Sequence, residues 1–253
     1  MAREKVLSEL FYPEGIKCIV CDAELSKDTR YCVCDSCKLP YNTDFCERCG
    51  RENKSAAKYC DVCQHKKWNF DFARSSLNYV GDVKNLVYRF KYGNEKYLAK
   101  YLGEFMTDTF YKSDFSADAI TFVPLHKTRL KSRGYNQSEL LAKRIGELTS
   151  LPVFDLLEKV VVTKNLARLN AQQRRLAIED SFELNDDEFE LFFNTMRDIH
   201  GNFRMENVDL LLIDDMFTTG VTSNECAKVL KQAGIGHVMV LCLASAPSRP
   251  TLI

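Results

Sequence analysis

Apolar residues follow two rhythms along this chain. Short unbroken runs alternate with longer stretches in which apolar positions recur every three or four residues. Leu210 to Ile213 is the clearest run, as a strand covered on both faces of a parallel sheet requires. Ala119 to Val123 reads as a first core strand ended by Pro124, Leu156 to Val162 as a further strand and His237 to Leu243 as the last. Val83 to Tyr92, Lys96 to Phe110, a stretch entered near Ser138 and Asn224 to Gly234 carry helical spacing between the runs. Ser75 to Tyr79 is strand-like and is followed by a turn at Gly81-Asp82. The alternation predicts an α/β domain over residues 73–253, with a central, mostly parallel sheet and flanking helices. Residues 1–16 read as a short amphipathic helix with Val6, Leu7, Leu10 and Phe11 on one face. The acidic stretch Asn185 to Glu206 holds Phe189, Leu191, Phe192 and Phe193, which suit a short helix packed on the sheet.

Composition adds a second unit. Nine of the eleven cysteines lie between Cys18 and Cys63, and eight of them form Cys-x-x-Cys knuckles: Cys18/Cys21, Cys34/Cys37, Cys46/Cys49 and Cys60/Cys63. A two-residue gap lets both sulfurs of a knuckle face one ion, and two knuckles supply the four thiolates of a tetrahedral structural zinc site. Twelve residues separate the first two knuckles and ten the last two, so two successive ribbons are natural over residues 1–72. An interleaved pairing, first with third and second with fourth, uses the same residues. Cys32 is the spare thiol, either packed or competing with Cys34. Cys226 and Cys242 stand alone in apolar settings and read as core. Met1 to Pro13 has no signal-peptide core, and no run approaches a membrane span, so a cytoplasmic protein without membrane insertion is expected. Thiols clustered in that compartment mean metal rather than disulfides.

Charge sharpens the picture in one place. Formal net charge is +0, but residues 84–178 carry 17 Lys/Arg against 9 Asp/Glu, and Glu179 to Glu190 then holds seven acids and no base. Residues 1–72 hold twelve bases and twelve acids, which four-thiolate zinc sites would make net negative. A structural or partner-docking role therefore suits the ribbons better than phosphate binding. The basic surplus fits a polyanionic ligand, including single-stranded DNA, with Tyr79, Tyr88, Tyr92 or Tyr135 as stacking faces.

The strand Leu210 to Ile213 runs into Asp214, Asp215 and then Thr218-Thr219-Gly220-Val221-Thr222. Ligands bind at the carboxyl ends of strands in open α/β sheets. Gly220 allows a tight turn, and a helix starting near Thr222 offers free N–H groups to a phosphate. Carboxylates accept hydrogen bonds from vicinal hydroxyls, so acids beside a phosphate cradle suit a sugar phosphate. The Lys-Ser/Thr ending of a Walker A loop is missing, which argues against a P-loop nucleotidase. Upstream, Leu125 to Ser138 forms a basic loop whose Lys127, Arg129 and Arg133 suit a pyrophosphate.

The string Leu210 to Thr222 resembles the phosphoribosyl pyrophosphate (PRPP) motif of type I phosphoribosyltransferases. Arg133-Gly134-Tyr135-Asn136-Gln137 resembles the Arg-Gly-(Phe/Tyr)-Asn-Gln signature of the ComF family, whose order of knuckles, Phe90-Lys91-Tyr92 segment and PRPP motif is also met over residues 18–245. That resemblance implies zinc ribbons fused to a type I phosphoribosyltransferase fold, PRPP or a nucleotide-like ligand bound with Mg²⁺, and a part in natural competence with single-stranded DNA and DNA-uptake proteins. It implies that Asp214 and Asp215 meet the ribose, Thr218 to Thr222 the 5′-phosphate, and Lys127, Arg129 and Arg133 the pyrophosphate. It also implies a flexible loop over residues 163–175, with Arg168, Arg174 and Arg175 reaching the pyrophosphate; family members carry an Asn soon after, where this chain has Ala177. The alternative implied function is an active transferase on an unidentified base in nucleotide metabolism or salvage; a vestigial transferase fold serving as a zinc-ribbon adaptor is a third.

Overall fold

The computed structural model describes residues 16–25, 29–55, 57–113, 115–162, 173 and 178–247. The helix expected over residues 1–16 and the loop arginines Arg168, Arg174 and Arg175 lie outside the described residues. Four strands form one parallel sheet: β1 (Phe72–Asn78), β2 (Ala119–Phe122), β5 (Asp209–Phe217) and β6 (His237–Ser245), in the order β1-β6-β5-β2. Val153 extends the β2 edge through a parallel bridge to Ile120. Among the described residues two further strands, β3 (Leu157–Lys159) and β4 (Phe182–Leu184), pair antiparallel with each other outside this sheet.

The helices are α1 (Asp61–His65), α2 (Asp82–Tyr92), α3 (Leu98–Lys112), α4 (Lys127–Arg133), α5 (Gln137–Thr149), α6 (Asp186–His200) and α7 (Val221–Gln232). Helix α2 buries Val83, Leu86, Val87 and Phe90, three or four residues apart, and carries Asp82 in its first turn with Arg89 and Lys91 in its last. That charge order favours the helix dipole. In α6, Asp186, Asp187 and Glu188 open the helix, Arg197 and His200 close it, and Asn185 Oδ1 accepts from the Glu188 N–H. The acidic stretch is therefore a fifteen-residue helix. It packs through Phe192 and Met196, and Phe192 meets Phe154 edge to face at 5.3 Å. Leu191 and Phe193, expected to pack, are exposed.

Both faces of the sheet are covered, which explains the unbroken apolar run of β5. Leu210 and Leu212 face a core shared with α6, α7 and the β3–β4 pair, whereas Leu211 and Ile213 face a core built from α2, α3 and α5. Burying each such leucine contributes about 1.5–3 kcal/mol.

The structure corrects several boundaries. Sheet pairing begins at Phe72, so Ala119 starts the second strand of the chain and not the first. The basic loop after Pro124 contains α4, closed by Gly134 at φ +82° in the left-handed region. Of Leu156 to Val162, only Leu157–Lys159 is strand. β5 does not end at the acids: Asp214 and Met216 still pair with Cys242 and Ala244 of β6.

Candidate functional site

β2 pairs with β5 only as far as Phe122 opposite Ile213, while β5 continues along β6 to Phe217. From there the chain leaves β2 over the α5 face and leaves β5 over the α7 face. Two connections departing to opposite faces open a crevice between their strands, the switch point where ligands bind in open sheets. Asp214 and Asp215 are the first residues of β5 beyond the end of that pairing. They line a cleft of about 410 Å³ together with Lys91, Arg129, Arg133, Asn136, Ser138, Lys159, Thr218 and Thr222.

The pleat sends the two acids to opposite faces. Asp214 Oδ1 accepts from the Asp215 N–H at 2.8 Å and from Ser138 Oγ at 3.4 Å. Burial, and then the neighbouring Asp215 charge, push its carboxyl up to about 7, while Lys91 and these two donors pull the other way. Asp215, on the α2 side, pairs through Oδ2 with Lys91 Nζ at 2.9 Å. Both partners are largely buried, so this pair is poorly screened. Lys159 reaches the cleft from β3. Burial lowers its ammonium, Asp214 raises it and the nearby Arg129 charge lowers it.

Beyond the acids, Gly220 adopts φ +73° and opens α7 with no side-chain cap. The first N–H groups of a helix carry no intrahelical partner and attract anions. A Cβ on Gly220 would lie 2.6 Å from the Phe217 ring and 2.9 Å from Trp68, so this turn requires glycine on two counts. Thr218 and Thr222 line the cleft; Thr219, Gly220 and Val221 complete the turn behind them.

The Arg133–Gln137 signature is a brace. Tyr135 Oη donates to the Phe90 carbonyl at 2.5 Å and Gln137 Nε2 to the same oxygen at 3.2 Å, which fixes the end of α2. Gln137 Oε1 accepts from Arg133 at 2.7 Å. Asn136 donates to the Val123 carbonyl at 3.0 Å and caps α5 by accepting from the Ser138 N–H. Arg129 and Arg133 line the cleft, whereas Lys127 stands outside it, exposed and 3.6 Å from Glu158. Of the tyrosines, Tyr135 is buried and offers no face. Tyr88 and Tyr92 are exposed, with ring centroids 5.2 Å apart, and Arg133 lies over Tyr92 at 5.0 Å. Sequence reasoning missed Lys91 and Lys159 as members of the cleft. Lys91 had one available signal, its place in the Phe90-Lys91-Tyr92 segment.

The cysteines gather as Cys18, Cys21, Cys34 and Cys37, and as Cys46, Cys49, Cys60 and Cys63, with ligand atoms of each set within 4.8 Å of one another. The pairing is therefore sequential. Cys21 and Cys34 sulfurs are 3.6 Å apart, and Cys49 and Cys60 sulfurs 3.7 Å. A tetrahedral ion at ~2.3 Å from each sulfur needs nearly that spacing. The Cys34 and Cys60 N–H groups donate to Cys18 and Cys46 sulfurs, as in supported thiolate sites. Both sets thus fit zinc. Cys32 belongs to neither and packs beside the α2–α3 core.

No protein-family model matches the chain. The chain is 27% identical over 239 residues to Competence protein F of Haemophilus influenzae, spanning 92% of this chain and 98% of that one. It is 27% identical over 242 residues to Competence protein ComFC of Bacillus subtilis, spanning 86% and 89%. Among solved structures, the glutamine PRPP amidotransferase of B. subtilis is similar at a TM-score of 0.36 and 18% identity, covering 61% of this chain and 30% of that one. The fold itself rests on strand order and register: a four-stranded parallel sheet with helices on both faces.

Proposed function

We propose that the chain, similar over most of its length to Competence protein F and Competence protein ComFC, is a ComF-family protein whose β2–β5 crevice binds PRPP or a related phosphoribosyl ligand, and that through it the protein acts in natural competence, in the internalisation of single-stranded DNA. One observation carries this reading: the acid pair, the uncapped start of α7 and two arginines line or border one cleft. Asp214 and Asp215 accept the ribose hydroxyls. The loop Thr218 to Thr222 holds the 5′-phosphate with backbone N–H groups and threonine hydroxyls. Arg129 and Arg133 face the pyrophosphate, with Lys159 as a further cation; Lys127, outside the cleft, takes no part.

The acid pair also fits Mg²⁺: among the described residues, only one oxygen of each carboxylate is engaged, and carboxylate oxygens are the donors this ion takes beside substrate phosphates. Bound there, Mg²⁺ would neutralise pyrophosphate charge. Zinc ribbons over residues 1–72 and a phosphoribosyltransferase-like domain over residues 73–253 make up a cytoplasmic protein in this reading. Relatives named Competence protein F and DNA utilization protein YhgH suit that role.

The pyrophosphate side is tested by calorimetry on Arg129→Met/Arg133→Met. PRPP affinity should fall at least about tenfold while ribose 5-phosphate affinity stays within about twofold. Equal losses for both ligands, or none, contradict the assignment. A second reading, transfer to a base, is favoured by Tyr88 and Tyr92, whose faces line the same cleft as the acids. Pyrophosphate release from PRPP, screened over bases, tests it.

A further inference from the structure

The two cysteine sets sit on opposite faces of the sheet and touch different things. The first set lies against α2 and α3. Arg89 Nη1 of α2 donates to the Ile19 carbonyl at 2.6 Å, Tyr31 packs on Phe105 with ring centroids 4.1 Å apart, and Tyr31 Oη bonds Asp108. The second set is buried beside Phe70 and Phe217, in the same core as the start of α7.

Two contacts join this second set to the phosphate loop, and a third, from the residue next to Trp68, ties the helix that follows the loop. Trp68 donates from Nε1 to Cys63 Sγ at 3.2 Å, and its ring closes over Gly220, where a Cβ would come within 2.9 Å. Arg51, buried beside the thiolates of Cys49, Cys60 and Cys63, donates from Nη1 to the Thr218 carbonyl at 3.5 Å. Asn69 ties the first turn of α7: its N–H donates to Asn224 Oδ1 at 2.9 Å and its Nδ2 to the Asn224 carbonyl at 3.3 Å. Residues 51, 68 and 69 thus hold the loop at its start, its bend and the turn of helix it leads into. A phosphate cradle of backbone N–H groups works only if those groups are held in place before the ligand arrives, and small misplacements are costly.

We propose that the second cysteine set is the buttress of the phosphate loop: zinc at Cys46, Cys49, Cys60 and Cys63 fixes Trp68, Arg51 and Asn69, and these fix Thr218 to Thr222. Zinc at this set and a phosphate group on the loop then bind with positive coupling, and the first set takes no part. Arg51 and Trp68 are positioning residues. The inference rests on the phosphoribosyl reading, because it names what the loop is positioned for.

Linkage is reciprocal, so a ligand favoured by zinc must favour zinc by the same factor. The experiment uses the full chain loaded with two zinc equivalents. Ribose 5-phosphate affinity is measured by calorimetry, and zinc release to a chromogenic chelator is followed with and without saturating ribose 5-phosphate. One of the two equivalents should leave about tenfold more slowly with the ligand, within the range of typical couplings. Arg51→Met and Trp68→Phe should keep two equivalents at the outset, lose the slowing and bind ribose 5-phosphate about tenfold more weakly, and Arg51→Lys should restore part of both. If ribose 5-phosphate binds but slows neither equivalent, or slows both alike, the buttress is wrong and the phosphoribosyl reading stands. If Arg51→Met and Trp68→Phe retain full coupling, the assigned route is wrong. If ribose 5-phosphate does not bind the folded wild type, the phosphoribosyl reading fails and the buttress with it.

Discussion

Asp214 is held at a cost to the fold. Burial and the Asp215 charge raise its pKa to about 7, well above the ordinary carboxylate value. The folded chain therefore holds a proton that the unfolded chain releases, and its stability falls as pH rises from about 4 to about 7, then levels. Asp214→Asn removes this charge. Thermal denaturation should show the variant more stable than wild type at pH 8, by roughly 1–4 kcal/mol, with the gap closing toward pH 4. A gap that does not change with pH would contradict the assignment. At Gly220, alanine must take φ +73° and meet Phe217 and Trp68. Gly220→Ala should cost about 1–3 kcal/mol in denaturant unfolding and abolish ribose 5-phosphate binding. Both acids and this glycine were legible in the sequence because they follow an apolar strand without a gap. Lys91 and Lys159 were not: each lies far along the chain from the acids, and only the meeting of α2, β3 and β5 brings them to one cleft.

Among elements, legibility followed the apolar pattern. Helices α2, α3 and α5 were readable because each buries a stripe at helical spacing. Helix α4 was read as loop, since its seven residues bury none of their side chains and so show no period. The reach of β5 past its acids was hidden because pairing with β6 is a tertiary fact. Knuckle spacing allowed two pairings, and sulfur positions decide for the sequential one. In α6, Phe192 is fully buried and Leu191 is exposed, although both are large, apolar and adjacent. Phe192→Ala should cost about 3–5 kcal/mol by denaturant unfolding, and Leu191→Ala no more than about 0.5 kcal/mol. Similar losses for the two would contradict the helix orientation.

On the scale of the whole molecule, the parallel sheet divides the chain's work. One face carries α2, α3 and α5 with the first cysteine set; the other carries α6, α7 and the second. The crevice lies at the strand ends between these layers: Lys91 of one pairs with Asp215 inside it, and Arg51, beside the second cysteine set, donates to the Thr218 carbonyl of the loop that borders it. No helix among the described residues is long and apolar enough to cross a membrane. The central claim is that the crevice takes a phosphoribosyl group on the acid pair. Calorimetric titration of PRPP with Mg²⁺ into the zinc-loaded protein, beside the Asp214→Asn/Asp215→Asn variant, tests it most directly. The wild type should bind, and the folded variant should bind at least about a hundredfold more weakly, because two acceptors for the ribose hydroxyls are lost. Equal binding by both proteins, or none by the folded wild type, would contradict the claim.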